Sequence, residues 1–278
     1  MRNVKIVADS SANILALQKV AFASAPLKII AGEKEFVDDE ALDVDAMVRW
    51  FDSYKEMSKT SCPNPSDWLE AFKDAEEVFC VTITSGLSGS YNSACAAKQM
   101  YEAEHSGRRV FVIDSLSAGP ELALIIEKLE ELIGQDLPFD AICREIKAYQ
   151  QNTGLVFVLE SLKNFAANGR VSPAVAKIAG VLGIRIVGKA SDQGTLEPTD
   201  KCRGATKAQA AILRNLKALG FRGGKLRIAH CQNESAALEL KSKIESAFSG
   251  ADVSIHPCRG LCSYYAEKGG LLVGFEKM

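Results

Sequence analysis

Apolar positions along this chain follow two alternating rhythms. Short β-branched and apolar runs at residues 4–8, 27–30, 78–83 and 109–114 read as strands. Between them, residues 43–57, 64–76, 88–105 and 118–135 repeat their apolar positions at the 3.6-residue period of amphipathic helices. The run VFCVTI (78–83) is hydrophobic without alternation, which suits a strand covered on both faces. A helix at 141–152 leads into a second set, with strands at 154–160, 184–190, 225–231, 251–256 and 271–275. Its helices fall near 161–167, 172–181, 203–219 and 233–247, and Gly194 and Pro198 mark 191–200 as a hairpin or connection. Such alternation of strand and helix predicts an α/β fold. A boundary near residue 150 divides it into domains at 1–150 and 151–278.

Composition narrows the class without naming a function. The 278 residues are 47% apolar and 24% charged, the balance of an ordinary globular protein. Lysine plus arginine (33) nearly cancels aspartate plus glutamate (35), so no basic surplus points to nucleic acid as a partner. No signal-peptide pattern opens the chain, and no apolar run approaches the roughly 20 residues that cross a bilayer. A cytoplasmic location is expected, with no transmembrane segment; transient contact with a membrane surface is compatible with it. Eight cysteines lie scattered without a CxxC pair and read as reduced, small hydrophobes. His256, Cys258 and Cys262 supply three ligands at a spacing unlike a zinc site, so no metal is expected.

Three polar segments carry the candidate chemistry. DSSAN (9–13) ends the first strand, where open parallel sheets place ligands, although a helix-capping turn is its plainer reading. In KTSCPNPSDW (59–68), Pro63 and Pro65 hold Thr60 and Ser61 on an extended segment. The sharpest is VTITSGLSGSYNSA (81–94), where Ser85, Gly86, Ser88, Gly89 and Ser90 lie between a buried strand and a helix start. Hydroxyls and N–H groups at that positive helix terminus make an anion receptor. The segment fits neither the G-x-S-x-G nucleophile elbow nor a P-loop, which needs a lysine absent here. Arg170, on a glycine turn, is placed to reach the interdomain cleft.

Together these segments resemble the DegV family of bacterial fatty-acid-binding proteins, the lipid-carrying subunit of fatty acid kinase. The likeness spans the chain: Asp9-Ser10-Ser11, Thr60-Ser61-Cys62-Pro63, Ser85 through Tyr91 and Gly169-Arg170-Val171 resemble family motifs in order, with Ser90 in place of the family's threonine and Val171 in place of its isoleucine. The family's H-T-G-P-G is matched only at His256 and Gly260, with Pro257, Cys258 and Arg259 between them. The resemblance implies two α/β domains, the first with a mainly parallel sheet and the second with a mixed one, and a lipid tunnel near their junction. It implies a carboxylate held by Thr60, Ser61, Ser85, Gly86 and Ser88, with Arg170 and His256 at the mouth and Arg203 facing a partner. It further implies long-chain fatty acid as the ligand, no cofactor, and a separate ATP-binding kinase subunit as partner, whose docking the altered loop puts in question. The alternative is a serine-dependent hydrolase or phosphotransferase using Ser85 or Ser88, with His230 or His256 as base. A protein-interaction module with a vestigial tunnel is the third reading.

Overall fold

The computed structural model describes residues 3–172, 175 and 183–277. Its first sheet is fully parallel, in the order β2–β1–β6–β7, with β1 at Val4–Asp9, β2 at Ala21–Ala25, β6 at Glu77–Thr82 and β7 at Arg109–Asp114. Every residue of β6 is buried, because helices cover both faces of the sheet. Phe79 and Val81 pack with Ile6 and Ala8 beneath α4 (Pro120–Gly134) and α5 (Phe139–Gln151). Val78 and Cys80 pack with Val7 beneath α2 (Pro65–Phe72) and α3 (Ser90–Glu104). An unbroken apolar run is what such a central strand requires.

A small antiparallel sheet has the order β4–β3–β5, from β3 (Lys28–Ala31), β4 (Lys34–Val37) and β5 (Ser58–Ser61). Strands β2, β4 and β5 escape the apolar pattern because AFASA, KEFV and SKTS carry at most two large apolar side chains each. Helix α1 spans Val44–Ser53, shorter than expected, with Asp43 capping it through a 2.8 Å bond from the Ala46 amide. Asn64 and Asp67 form a reciprocal capping box on α2, and Pro65 fills its first position.

The third sheet is mixed, in the order β10–β9–β8–β13–β11–β12. Its strands are β8 (Thr153–Leu159), β9 (Ile184–Ala190), β10 (Leu196–Arg203), β11 (Gly224–His230), β12 (Ala251–Pro257) and β13 (Leu271–Glu276). Only β11 and β12 run parallel. Residues 191–195 turn the β9–β10 hairpin, closed by the Ser191 amide on the Thr195 carbonyl at 2.9 Å. A short α6 (Lys163–Ala167) follows β8, and α7 (Ala205–Ala218) and α8 (Glu234–Ala247) cover the outer face. The inner face looks toward α1 and α9 (Gly260–Ala266), a helix too short for the apolar period to reveal. The helix expected at 172–181 lies largely outside the described residues.

Helix α4 joins the two larger sheets. Its first turn presses on β13 at Gly274, where an added Cβ would lie 2.5 Å from the Glu121 amide nitrogen. Arg227 of β11 donates to both carboxylate oxygens of Glu127, at 2.7 and 2.8 Å, and Lys225 pairs with Glu131. The α/β fold, with a parallel first sheet and a mixed last one, is as the sequence led us to expect.

Candidate functional site

A cavity of about 330 Å³ lies between the inner face of the six-stranded sheet and the loops at the carboxyl ends of β6 and β7. That is roughly twenty times the space one water molecule needs. Leu155, Phe157, Leu159 and Leu272 form an apolar floor on β8 and β13, and Ile83, Leu27 and Leu261 close it from the other side. Along the cavity run the hydroxyls of Thr60, Ser61, Thr84, Ser88 and Ser117. Arg170 is the only charged side chain among its described lining residues.

Buried carboxylates hold the polar side in place. Asp9 is fully buried at the end of β1 and accepts four hydrogen bonds. They come from the Ser11 amide (3.2 Å) and hydroxyl (2.5 Å), the Ile83 amide (2.8 Å) and the Ser90 hydroxyl (2.6 Å). Desolvation pushes its carboxyl above the ordinary range, while these donors pull it back. One side chain thereby ties the end of β6 and the start of α3 to β1. The DSSAN turn is scaffold, as its plainer reading held. Asp38, equally buried, accepts from the amides of Gly260 and Leu261, both at 2.8 Å, and so fixes the start of α9.

Thr60 sits on β5 with its hydroxyl 2.7 Å from the Tyr265 hydroxyl and its amide bonded to the Asn168 side chain at 3.2 Å. Asn168 also donates to the Ser58 carbonyl and the Tyr264 hydroxyl, so it clamps β5 to the turn that carries Arg170. The Arg170 guanidinium donates to the Leu87 carbonyl at 3.1 Å and to that of Asn168. It bridges the serine-rich turn and the second half of the chain. The Ser88 hydroxyl accepts from the Ser90 amide at 3.2 Å, which leaves its own proton for a ligand. Cys62 also lines the cavity, and desolvation raises its thiol above its usual value.

The structure therefore gathers Thr60, Ser61, Ser88 and Arg170 on one cavity and places the other sequence-derived candidates elsewhere. Ser85 and Gly86 are exposed on the far side of the turn. Ser85 donates its amide to Asp114 at 3.0 Å, and Gly86 backs onto the 191–195 hairpin, where an added Cβ would lie 2.6 Å from the Gln193 carbonyl oxygen. The turn offers fewer free N–H groups than the sequence suggested, because the amides of Ser85, Gly86, Leu87, Ser88 and Ser90 bond within the turn or to Asp114. His256 is exposed on the edge strand β12, its Nε2 3.1 Å from the Ser254 hydroxyl. Arg203 is exposed at the end of β10. His230 accepts from the Asn233 amide and, like His256, is not part of the cavity lining. Sequence reasoning missed Tyr265 and Asn168; the Tyr264-Tyr265 pair was the one available signal.

All eight cysteines are free. Among the described residues no cluster of histidine, cysteine or carboxylate side chains is fit to hold a metal, and no helix is long and apolar enough to cross a membrane. Fold and site together define a three-sheet α/β pocket protein with an amphiphilic cavity where its sheets meet. The chain belongs to the DegV family, whose model matches residues 3–277. A DegV domain-containing protein of Streptococcus pneumoniae is 45% identical over 276 residues, 98% of each chain. Among solved structures, the Streptococcus pneumoniae fatty acid kinase (Fak) B3 protein loaded with linoleic acid is 44% identical, with a TM-score of 0.98 over 100% of both chains. A DegV family protein from Eubacterium eligens loaded with heptadecanoic acid is also 44% identical, with a TM-score of 0.97 over 99% of this chain and 100% of its own.

Proposed function

We propose that this chain binds a long-chain fatty acid and presents its carboxyl group. The observation that carries the reading is a cavity with an apolar floor, a line of hydroxyls and one cation, Arg170. Burying about 14 methylenes at ~0.8 kcal/mol each gives on the order of 11 kcal/mol before the costs of association. Hydroxyls contribute far less and decide which end goes where. Thr60, Ser61 and Ser88 hold the carboxylate, with Arg170 supplying positive charge beside it. Two relatives at 44% identity are loaded with fatty acids, which supports the same ligand here.

The reading extends to a partner. One of those relatives is a fatty acid kinase protein, so the carboxyl is presented to a separate ATP-binding kinase subunit in the cytoplasm. Arg259, the departure in the loop after His256, is folded inward and mostly buried, donating to the Asp39 carbonyl near Asp38. It does not project from the docking loop. The two lobes divide near residue 150.

Native mass spectrometry before and after solvent extraction tests the ligand. The protein as purified is expected to carry one fatty acid of roughly 14–18 carbons, a tail long enough to dominate affinity. A protein that carries none and takes up none from a mixed fatty acid pool overturns the reading.

A further inference from the structure

The floor of the cavity contains one contact that no ordinary side chain pair makes. Phe157 on β8 pairs in register with Gly188 on β9, so both face the same side of the sheet. A Cβ built on Gly188 would lie 2.4 Å from Cζ and 2.7 Å from Cε2 of Phe157. The phenyl ring therefore lies down across the glycine rather than standing up from the strand. Gly188 is not among the positive-φ residues, so its missing side chain serves space and not backbone conformation.

We propose that Phe157 and Gly188 together gauge the length of acyl chain the cavity accepts, an inference that rests on the fatty acid reading. Phe157 is buried and lines the cavity. Neighbours hem the ring in along the sheet. Leu155 and Leu159 flank it along β8, and Leu272 pairs beside it on β13. The Glu197 carbonyl oxygen, 2.7 Å from the same built Cβ, blocks the methyl from moving toward β10. A side chain at 188 therefore lifts the ring off the sheet and into the space a fatty acid tail occupies. Removing the ring enlarges that space by the volume of the lost group, which a longer or more bent tail fills.

The test compares wild-type protein with Gly188→Ala, Phe157→Ala, Phe157→Leu and the double variant Gly188→Ala/Phe157→Ala. Each is exposed to an equimolar series of saturated fatty acids, and the bound species are read by native mass spectrometry. Phe157→Ala moves the bound profile toward chains about two to four carbons longer, as expected for filling a ring-sized void. Gly188→Ala moves it toward shorter chains, and the double variant recovers long ones because the added methyl no longer meets a ring. Should Gly188→Ala not fold, Phe157→Leu decides alone, with a smaller shift toward longer chains. Folded variants that keep the wild-type profile overturn the gauge while leaving fatty acid binding intact, and so does a double variant that stays short. A wild-type protein that binds no fatty acid overturns the underlying reading, and the gauge with it.

Discussion

On the outer face of the six-stranded sheet, Val156, Val158, Val273 and Phe275 are sealed beneath α7 and α8. On the inner face, their neighbours Leu155, Phe157, Leu159 and Leu272 border a cavity. The same strands supply both sets, at alternating positions. What differs is the roof: two amphipathic helices on one side, and on the other hydroxyl-bearing loops and the short α9 over the cavity, with α1 and α4 covering the rest of that face. Side chains from helices fill space to native density, whereas turns spend their residues on their own hydrogen bonds and leave a gap. Binding capacity here comes from a missing layer of packing.

The largest test of that contrast removes one side chain from each face. Phe275→Ala, fully buried against Phe221 and the outer helices, is expected to cost about 3–5 kcal/mol in urea unfolding. The loss should be the same whether or not fatty acid is bound. Leu272→Ala behaves differently, since its cavity-facing atoms already lack partners in the empty protein. Its cost is expected to be about 1–2 kcal/mol without lipid and larger with lipid, because the ligand's contacts disappear too. Equal costs for Leu272→Ala in both forms would break the distinction between the faces.

The roof is held by buried polar groups instead of packing, and this gives a pH signature. Asp9→Asn turns an amide donor toward either the Ser11 pair or the Ile83 and Ser90 pair, all of which donate. The expected loss is about 1–3 kcal/mol. Desolvation raises the Asp9 carboxyl above its ordinary 3.8. A raised folded value adds stability below the unfolded one, and that contribution is lost as pH climbs through the folded value. The gap in melting temperature between wild type and Asp9→Asn is therefore widest in acid and narrows as pH rises. A gap that widens with pH would contradict this account.

How much of this was readable beforehand depends on the range of each signal. The central strand β6 and helices α2 to α5 were legible because periodicity and caps act within a few residues. The hydroxyl segments were legible as polar breaks after strands. Tyr265 and Asn168 were not, since they meet Thr60 across 205 and 108 positions of chain, and nothing local marks such a contact. Nor does the apolar run of β8 say which of its two faces will be left unfilled. Ser85 and Ser88 show the limit most sharply: three residues apart in one turn, they point to different surroundings.

That pair supplies the smallest and most discriminating measurement. Ser88 lines the cavity with its proton uncommitted, whereas Ser85 is exposed and contributes its amide to Asp114. Ser88→Ala is expected to weaken fatty acid binding by about 0.5–1.5 kcal/mol, roughly two- to twelve-fold in Kd, because one hydroxyl orients a head group whose tail provides most of the affinity. Ser85→Ala, although it alters the first residue of a family motif, should leave Kd unchanged within error. Equilibrium titration with a fluorescent fatty acid reads both. If Ser85→Ala weakens binding more than Ser88→Ala, the carboxylate sits on the hairpin side of the turn, and the roof has been assigned to the wrong hydroxyls.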